Sequence, residues 1–139
     1  MGDAAIKRGV ALSMEGVPEL DRDGYLEALM RRFAIMRDWS VFFQRYPVLL
    51  LPNSWERQFP IDDDLRSRSR SNELVTAQSP LLCTAMMGLP GLSVPVAMDQ
   101  GLPTGVQLVS WRYREDLVLK AGEMIERASQ FSALDLLAP

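Results

Sequence analysis

Three acidic residues, Asp62, Asp63 and Asp64, stand just before Arg66, Arg68 and Arg70, and each of those arginines is followed by a serine. Adjacent carboxylates are what a divalent cation takes as ligands, and guanidiniums beside hydroxyls are what grips phosphate. Here the opposite charges largely cancel, the Arg-Ser pair repeats only three times, and no aromatic side chain is interleaved for a base to stack on. The stretch therefore reads as part of a polar, solvated loop over residues 53–72, and no metal site is assigned to it. Ser93 is the most tempting nucleophile. No base candidate stands near it in sequence, and packing explains a small residue between Pro90 and Pro95, so no catalytic residue is assigned.

The residue types that are missing narrow the chemistry further. With no histidine, the chain has no Ser-His-Asp, Cys-His or histidine-based acid-base mechanism. One cysteine and no histidine cannot supply the three or four nitrogen or sulfur ligands of an ordinary zinc site. Only Lys7 and Lys120 could serve as an amine base; the other basic residues are arginines, charged at any working pH. There is no glycine-rich phosphate cradle, and no cofactor is implied. Cys83, alone in an apolar run, reads as a core thiol. It excludes an intrachain disulfide and suits a reducing cytoplasm. A net charge of -3 provides no field to attract nucleic acid or an anionic membrane.

The elements that would position these residues follow from periodicity and punctuation. At 139 residues, 47% hydrophobic and 24% charged, the chain suits one domain spanning 1–139. A helix is predicted over Ala4 to Met14, broken at Gly16 and Pro18. A longer one follows, capped by Asp23, with Leu26, Leu29, Met30, Phe33, Met36 and Phe43 as its core-facing stripe, and Pro47 ends it. Val48 to Leu51 reads as a strand buried on both faces. Ser71 or Asn72 caps a helix from Glu73 to about Met87, kinked at Pro80 and stopped by Gly88.

Leu92, Val94 and Val96 alternate with smaller residues as in a strand, and Pro95 assigns that strand to an edge or a bulge. Asp99, Gln100 and Gly101 supply turn chemistry, and Val106 and Leu108 carry a second strand to about Ser110, giving a hairpin. Glu115 and Asp116 open a last helix with Leu117, Ala121, Met124, Ile125 and Ala128 as its apolar face, and the tail beyond Gln130 frays. No apolar run is long enough to span a membrane, no signal peptide is evident, and Ile6 stands where myristoylation wants Ser or Thr.

Gly88-Leu89-Pro90-Gly91-Leu92-Ser93-Val94-Pro95, then Asp99 to Val109, then Arg114-Glu115-Asp116-Leu117, closely resemble the C-terminal signature of the amidase-signature hydrolases. Tyr46 to Pro52 resembles the buried strand of that family, and Arg37 to Phe43 the helix before it. The resemblance implies an α/β fold, a mixed sheet flanked by helices, here about three strands and four helices. It also implies an enzyme that cleaves amide C–N bonds with a serine, a second serine in a cis peptide and a lysine. Those three residues belong to segments N-terminal to the part matched, and none carries over to a residue here.

The resemblance further places Arg8 and Gln78 near the substrate, at positions where amidotransferase members contact the carboxylate and ammonium of glutamine. The uncharged Gln78 disfavours a glutamine site. Cys83 and Ala85 replace a common proline and asparagine. The expectation is the C-terminal portion of an amidase, inactive alone and meeting a small amide substrate only within a full-length enzyme. It would form a homo-oligomer or associate with a missing N-terminal half; the alternatives are a non-catalytic self-associating scaffold and one half of a split enzyme.

Overall fold

Backbone restrictions divide the chain before packing does. In this computed structural model, which describes residues 3–132 and 134, helix α1 covers Ala4–Met14 and α2 covers Arg22–Arg45. The cap of α2 is Asp21, whose carboxylate accepts the Gly24 N–H at 2.8 Å; Asp23, the expected cap, lies inside the first turn. Tyr46 closes α2 because a residue before proline is disfavoured in helical conformation, and Pro47 follows.

Strand β1 runs Val48–Pro52. After a single 3-10 turn at Asp63–Leu65 come α3, Arg68–Ala77, and α4, Ser79–Met87. The helix expected from Glu73 to Met87 is thus two helices, broken at Gln78 two residues before Pro80, which makes five α-helices among the described residues. Its start also lies earlier than expected. The Ser67 hydroxyl accepts the Arg70 N–H at 3.1 Å, so Arg68 to Asn72 is helix and not loop. Gly88, at φ 64°, terminates α4 as a left-handed C-cap.

The hairpin is as the sequence indicates. Strands β2, Gly91–Asp99, and β3, Leu102–Ser110, join through Gln100 at φ 51° and Gly101 at φ 82°, the paired positive angles of a tight hairpin turn. Pro95 pairs with Gly105 and Ala97 with Thr104, leaving Val96 as a bulge, and β2 is an edge strand. Helix α5, Glu115–Ser129, closes the order. The expected fraying beyond Gln130 falls largely on residues 133 and 135–139, outside the described residues.

The sheet order is β1-β3-β2, and every pairing is antiparallel; the expected mixed character does not occur in these three strands. Alternation along β3 divides the core into two layers. Val109 faces Met36, Phe43, Met87 and Leu89 from α2, α4 and the turn after it. Leu108, one residue earlier, faces the other way and packs with Val94 and with Val118 of α5. Gly122 lets α5 lie against β2, because a Cβ there would meet Leu92 Cδ2 at 2.5 Å. Two arginines tie the first layer together at the α4 C-terminus, where carbonyls carry partial negative charge. Arg32 Nε donates to Met86 O at 2.9 Å, and Arg112 Nη2 to Met87 O at 2.8 Å.

Several expected core residues are bare. Along α2 only Met36 and Phe43 are buried, while Leu26, Met30 and Phe33 are 47%, 72% and 60% exposed. Strand β1 is an edge, not a doubly covered strand, and Leu50 is 56% exposed. Cys83, the expected core thiol, is exposed, although it borders an apolar cavity with Trp39, Leu49, Leu51 and Met87. On α5 the buried residues are Val118 and Gly122, whereas Met124 and Ala128 face solvent.

Candidate functional site

The run of aspartates and the run of arginines meet across the turn between β1 and α3. Asp63, 3% exposed, accepts from Arg70 Nε at 2.8 Å and from Arg66 Nη1 at 3.0 Å. Arg70 also reaches Glu56 at 2.9 Å and Glu73 at 3.1 Å. The hydrogen bonds from Arg70, then those from Arg66, hold the Asp63 carboxyl below its ordinary value of 3.8. Glu56, Asp63 and Glu73 in turn raise the Arg70 guanidinium, with Glu56 the largest influence. The stretch is therefore a joint fastening the 3-10 turn to α3, and not a solvated loop. Asp63 and Arg70 have their partners within the chain.

On one side of this joint, α1, the 3-10 turn and α3 enclose a cleft of about 520 Å³. Ile6, Val10, Leu74 and Val75 give it apolar walls, and Asp62, Asp64 and Ser71 give it oxygen atoms. Helix α1 can approach because its residue 9 is glycine; a Cβ there would meet Asp64 Oδ2 at 3.3 Å. Gln78 closes one end. It also lines a neighbouring cleft of about 320 Å³ with Asn53, Ser54, Gln58 and Thr104. The break that Pro80 imposes thus places the Gln78 carboxamide where the two clefts adjoin.

Arg8, the other residue expected near substrate, is exposed on α1 and does not line either cleft. The fold brings Gln78 to the cleft and leaves Arg8 outside its wall. Ser93 Oγ donates to Asn53 Oδ1 at 3.2 Å, a partner that cannot take up its proton. Lys7 and Lys120 are both exposed, on α1 and α5 respectively. No Ser-Lys pair is hydrogen bonded among the described residues.

The sequence and the fold match those of known proteins. The family described as amidase matches residues 7–119. This chain belongs to the amidase family. An indoleacetamide hydrolase of Bradyrhizobium japonicum is 38% identical over 109 residues, covering 78% of this chain and 23% of that protein. A glutamyl-tRNA(Gln) amidotransferase subunit of Rhodospirillum rubrum is 37% identical over 111 residues, 78% of this chain and 21% of that protein. The crystal structure of the corresponding amidotransferase subunit from Thermotoga maritima superposes with a TM-score of 0.58 at 24% identity, over 69% of this chain and 20% of that one, and shares the fold. The chain spans about a fifth of the length of these amidases and corresponds to their C-terminal portion.

Sequence reasoning missed three residues of this amidase fold. Asp62 and Asp64 read as loop solvation, since nothing local indicates that Asp63 alone turns inward. Gln107 is the third. It is 3% exposed in the middle of β3, donates to Thr84 Oγ1 at 3.4 Å, and its Oε1 accepts no hydrogen bond among the described residues. Its place between Val106 and Leu108 in an alternating strand was the available signal. No helix among the described residues is long and apolar enough to cross a membrane.

Proposed function

We propose that this chain forms the C-terminal portion of an amide hydrolase, closing one wall of its substrate pocket while the remainder of an amidase supplies the serine, cis-serine and lysine. The observation that carries this is the amidase match over residues 7–119 in a chain about a fifth as long as its relatives. The exposed strip of Leu26, Met30 and Phe33, one helix face at i, i+4 and i+7, supports it, as does the open edge at Leu50. Both are surfaces that a larger amidase body would cover. The resemblance to amidases is what assigns Gln78 and Arg8 to the substrate; Gln78 lines the cleft, and Arg8 is exposed on α1 outside its wall.

The substrate is a small carboxamide, with indoleacetamide the first to test, and a reducing cytoplasm suits the lone thiol. The test mixes this chain with the N-terminal portion of an indoleacetamide hydrolase lacking the matched region, and follows ammonia release from indole-3-acetamide. The chain alone should release none and the mixture should hydrolyse, with the Leu26→Glu/Phe33→Glu variant failing to restore activity. Hydrolysis by the chain alone, or none in the mixture, overturns the reading.

A second reading rests on the same exposed strip: the chain is a non-catalytic module that pairs with its own copy. It predicts a stable dimer in light scattering that Leu26→Glu/Phe33→Glu reduces to monomer, with no hydrolysis in any mixture.

A further inference from the structure

Between α2, α4 and the sheet lies a separate cavity of about 210 Å³ that shares no lining residue with either cleft bordered by Gln78. Its walls belong to the first core layer: Met87, Leu89 and Val109 are buried there, and Trp39, Leu49 and Leu51 pack against them. Trp55 and Cys83 are its exposed wall residues, so it opens on their side. One end is polar. Thr84 lines the cavity and gives its hydroxyl proton to Leu81 O at 2.7 Å, while its lone pairs meet only Gln107 Nε2, at a long 3.4 Å. Gln107 stands on the same face of β3 as Val109 and pairs with Leu51 of β1, both of which line the cavity. Its Oε1 is buried and accepts no hydrogen bond among the described residues. This end therefore holds unused acceptor capacity and no spare proton. More than a turn away along α4, Trp55 Nε1 donates to Ser79 Oγ at 3.1 Å.

We propose that this cavity is a binding site for a neutral one-ring aromatic molecule carrying a single O–H or N–H donor, with the ring against Trp39, Leu51 and Met87 and the donor on Thr84 Oγ1. An apolar cavity of about 150 Å³ already takes a benzene ring, so the space suits one ring with a small substituent. Trp39 and Trp55 favour an aromatic body over an aliphatic one of equal area, because ring-to-ring contacts add to area burial. A charged ligand finds no counter-ion, since no Lys, Arg, Asp or Glu lines the cavity. A plain hydrocarbon fits the walls but leaves the acceptors unmet. The site goes beyond the amide-hydrolase reading and does not rest on it; α4 borders both this cavity and the cleft that Gln78 lines with Leu81.

The test is equilibrium binding to the full 139-residue chain, with no hydrolysis involved. The ¹⁵N-labelled protein is titrated at pH 7 with phenol, neutral there, and with toluene, and the Thr84, Met87 and Val109 amides are followed. Toluene has the same shape and is the more apolar, so a cavity without a polar end prefers it. Phenol should nevertheless bind at least as tightly as toluene, and its occupancy should slow alkylation of Cys83, the one thiol in the chain. Thr84→Val should weaken phenol about threefold to tenfold, the range of one hydrogen bond, without weakening toluene. Thr84→Ser, which keeps the oxygen, should retain the preference. Cys83→Phe, which fills the cavity from its exposed side, should abolish binding of both probes, and circular dichroism verifies the fold of each variant.

Tighter binding of toluene than of phenol to the unaltered chain overturns the proposal, because the space is then a general apolar gap that any side chain could fill. Phenol affinity unchanged in Thr84→Val, or binding that survives Cys83→Phe, does so as well. Phenol binding without hydrolysis in any mixture removes the proposed function and leaves this inference standing. Restored hydrolysis without phenol binding does the reverse.

Discussion

Replacing Gly105 with alanine tests whether the bulged hairpin is set by backbone contact. Gly105 sits opposite Pro95, beside the bulge in β2. A Cβ on it would collide with the Val94 carbonyl oxygen and lie 3.1 Å from Pro95 Cα. Both obstacles are backbone, so no rotamer change relieves them. Overpacking of this kind costs about 1–3 kcal/mol, and displacing the strand weakens one ladder hydrogen bond by about 0.5–1.5 kcal/mol. Restricting the unfolded chain returns about 0.4–1 kcal/mol.

Taking the middle of each range, the net expectation for Gly105→Ala is a loss of about 2 kcal/mol, read as a fall in Tm of roughly 5–10 °C by far-ultraviolet circular dichroism. Gly101→Ala is the control: its φ is 82° but nothing lies within 4 Å of the added atom. Only the backbone penalty of about 1 kcal/mol applies there, and Gly101→Asn, tolerant of that region, should cost less still. If Gly105→Ala proves as stable as Gly101→Ala, close strand approach does not set the bulge.

Two further outcomes follow from the ion pairs. Because Asp63 titrates below 3.8 in the folded chain, its contribution is fully present above that pH and is lost as pH falls through the folded value. Denaturant midpoints should be flat on its account from about pH 5 to 8 and fall below about 4, and Asp63→Asn should be less stable at neutral pH with a shallower acid limb. Arg112→Met keeps the aliphatic volume but removes the donor to Met87 O, costing about 1.5–3 kcal/mol as a charged hydrogen bond. The fluorescence of Trp39 and Trp111, which pack at that core, should shift to the red; an unchanged spectrum would remove the capping role.

What the sequence made legible is what the backbone restricts locally. Gly88, Pro95 and the Gln100-Gly101 pair each permit few conformations, so α4 ends, β2 bulges and the hairpin turns where those residues stand. The apolar periodicity of α2 is equally visible, yet it indicates a face and not its partner. Leu26 and Phe33 repeat like core residues and are uncovered, because none of these elements packs over that face. Val118 is hidden for a related reason. A stripe centred on Met124 and one centred on Val118 are both apolar, and only the small Gly122 beside Leu92 decides which side of α5 meets the sheet.

The cleft is least legible. Asp62, Asp63 and Asp64 are chemically identical in sequence, and their separate roles come from one left-handed residue and from arginines as far away as Arg70. Gln78 is found through family resemblance. The helix break that exposes it follows from Pro80, which alone shows that a kink is due and not which side chain it presents.

The two arginines on the α4 C-terminus give α2 the mechanics of a lever. Residues 22–32 extend about 15 Å beyond the Arg32 contact at about 1.5 Å per residue. A tilt of about 10° at that fulcrum would therefore carry the far tip nearly ~3 Å. Whatever surface packs on Leu26 and Phe33 is thus aligned by carbonyls at Met86 and Met87, on a different helix. A substitution at Arg112 that touches no part of the strip should misalign it all the same.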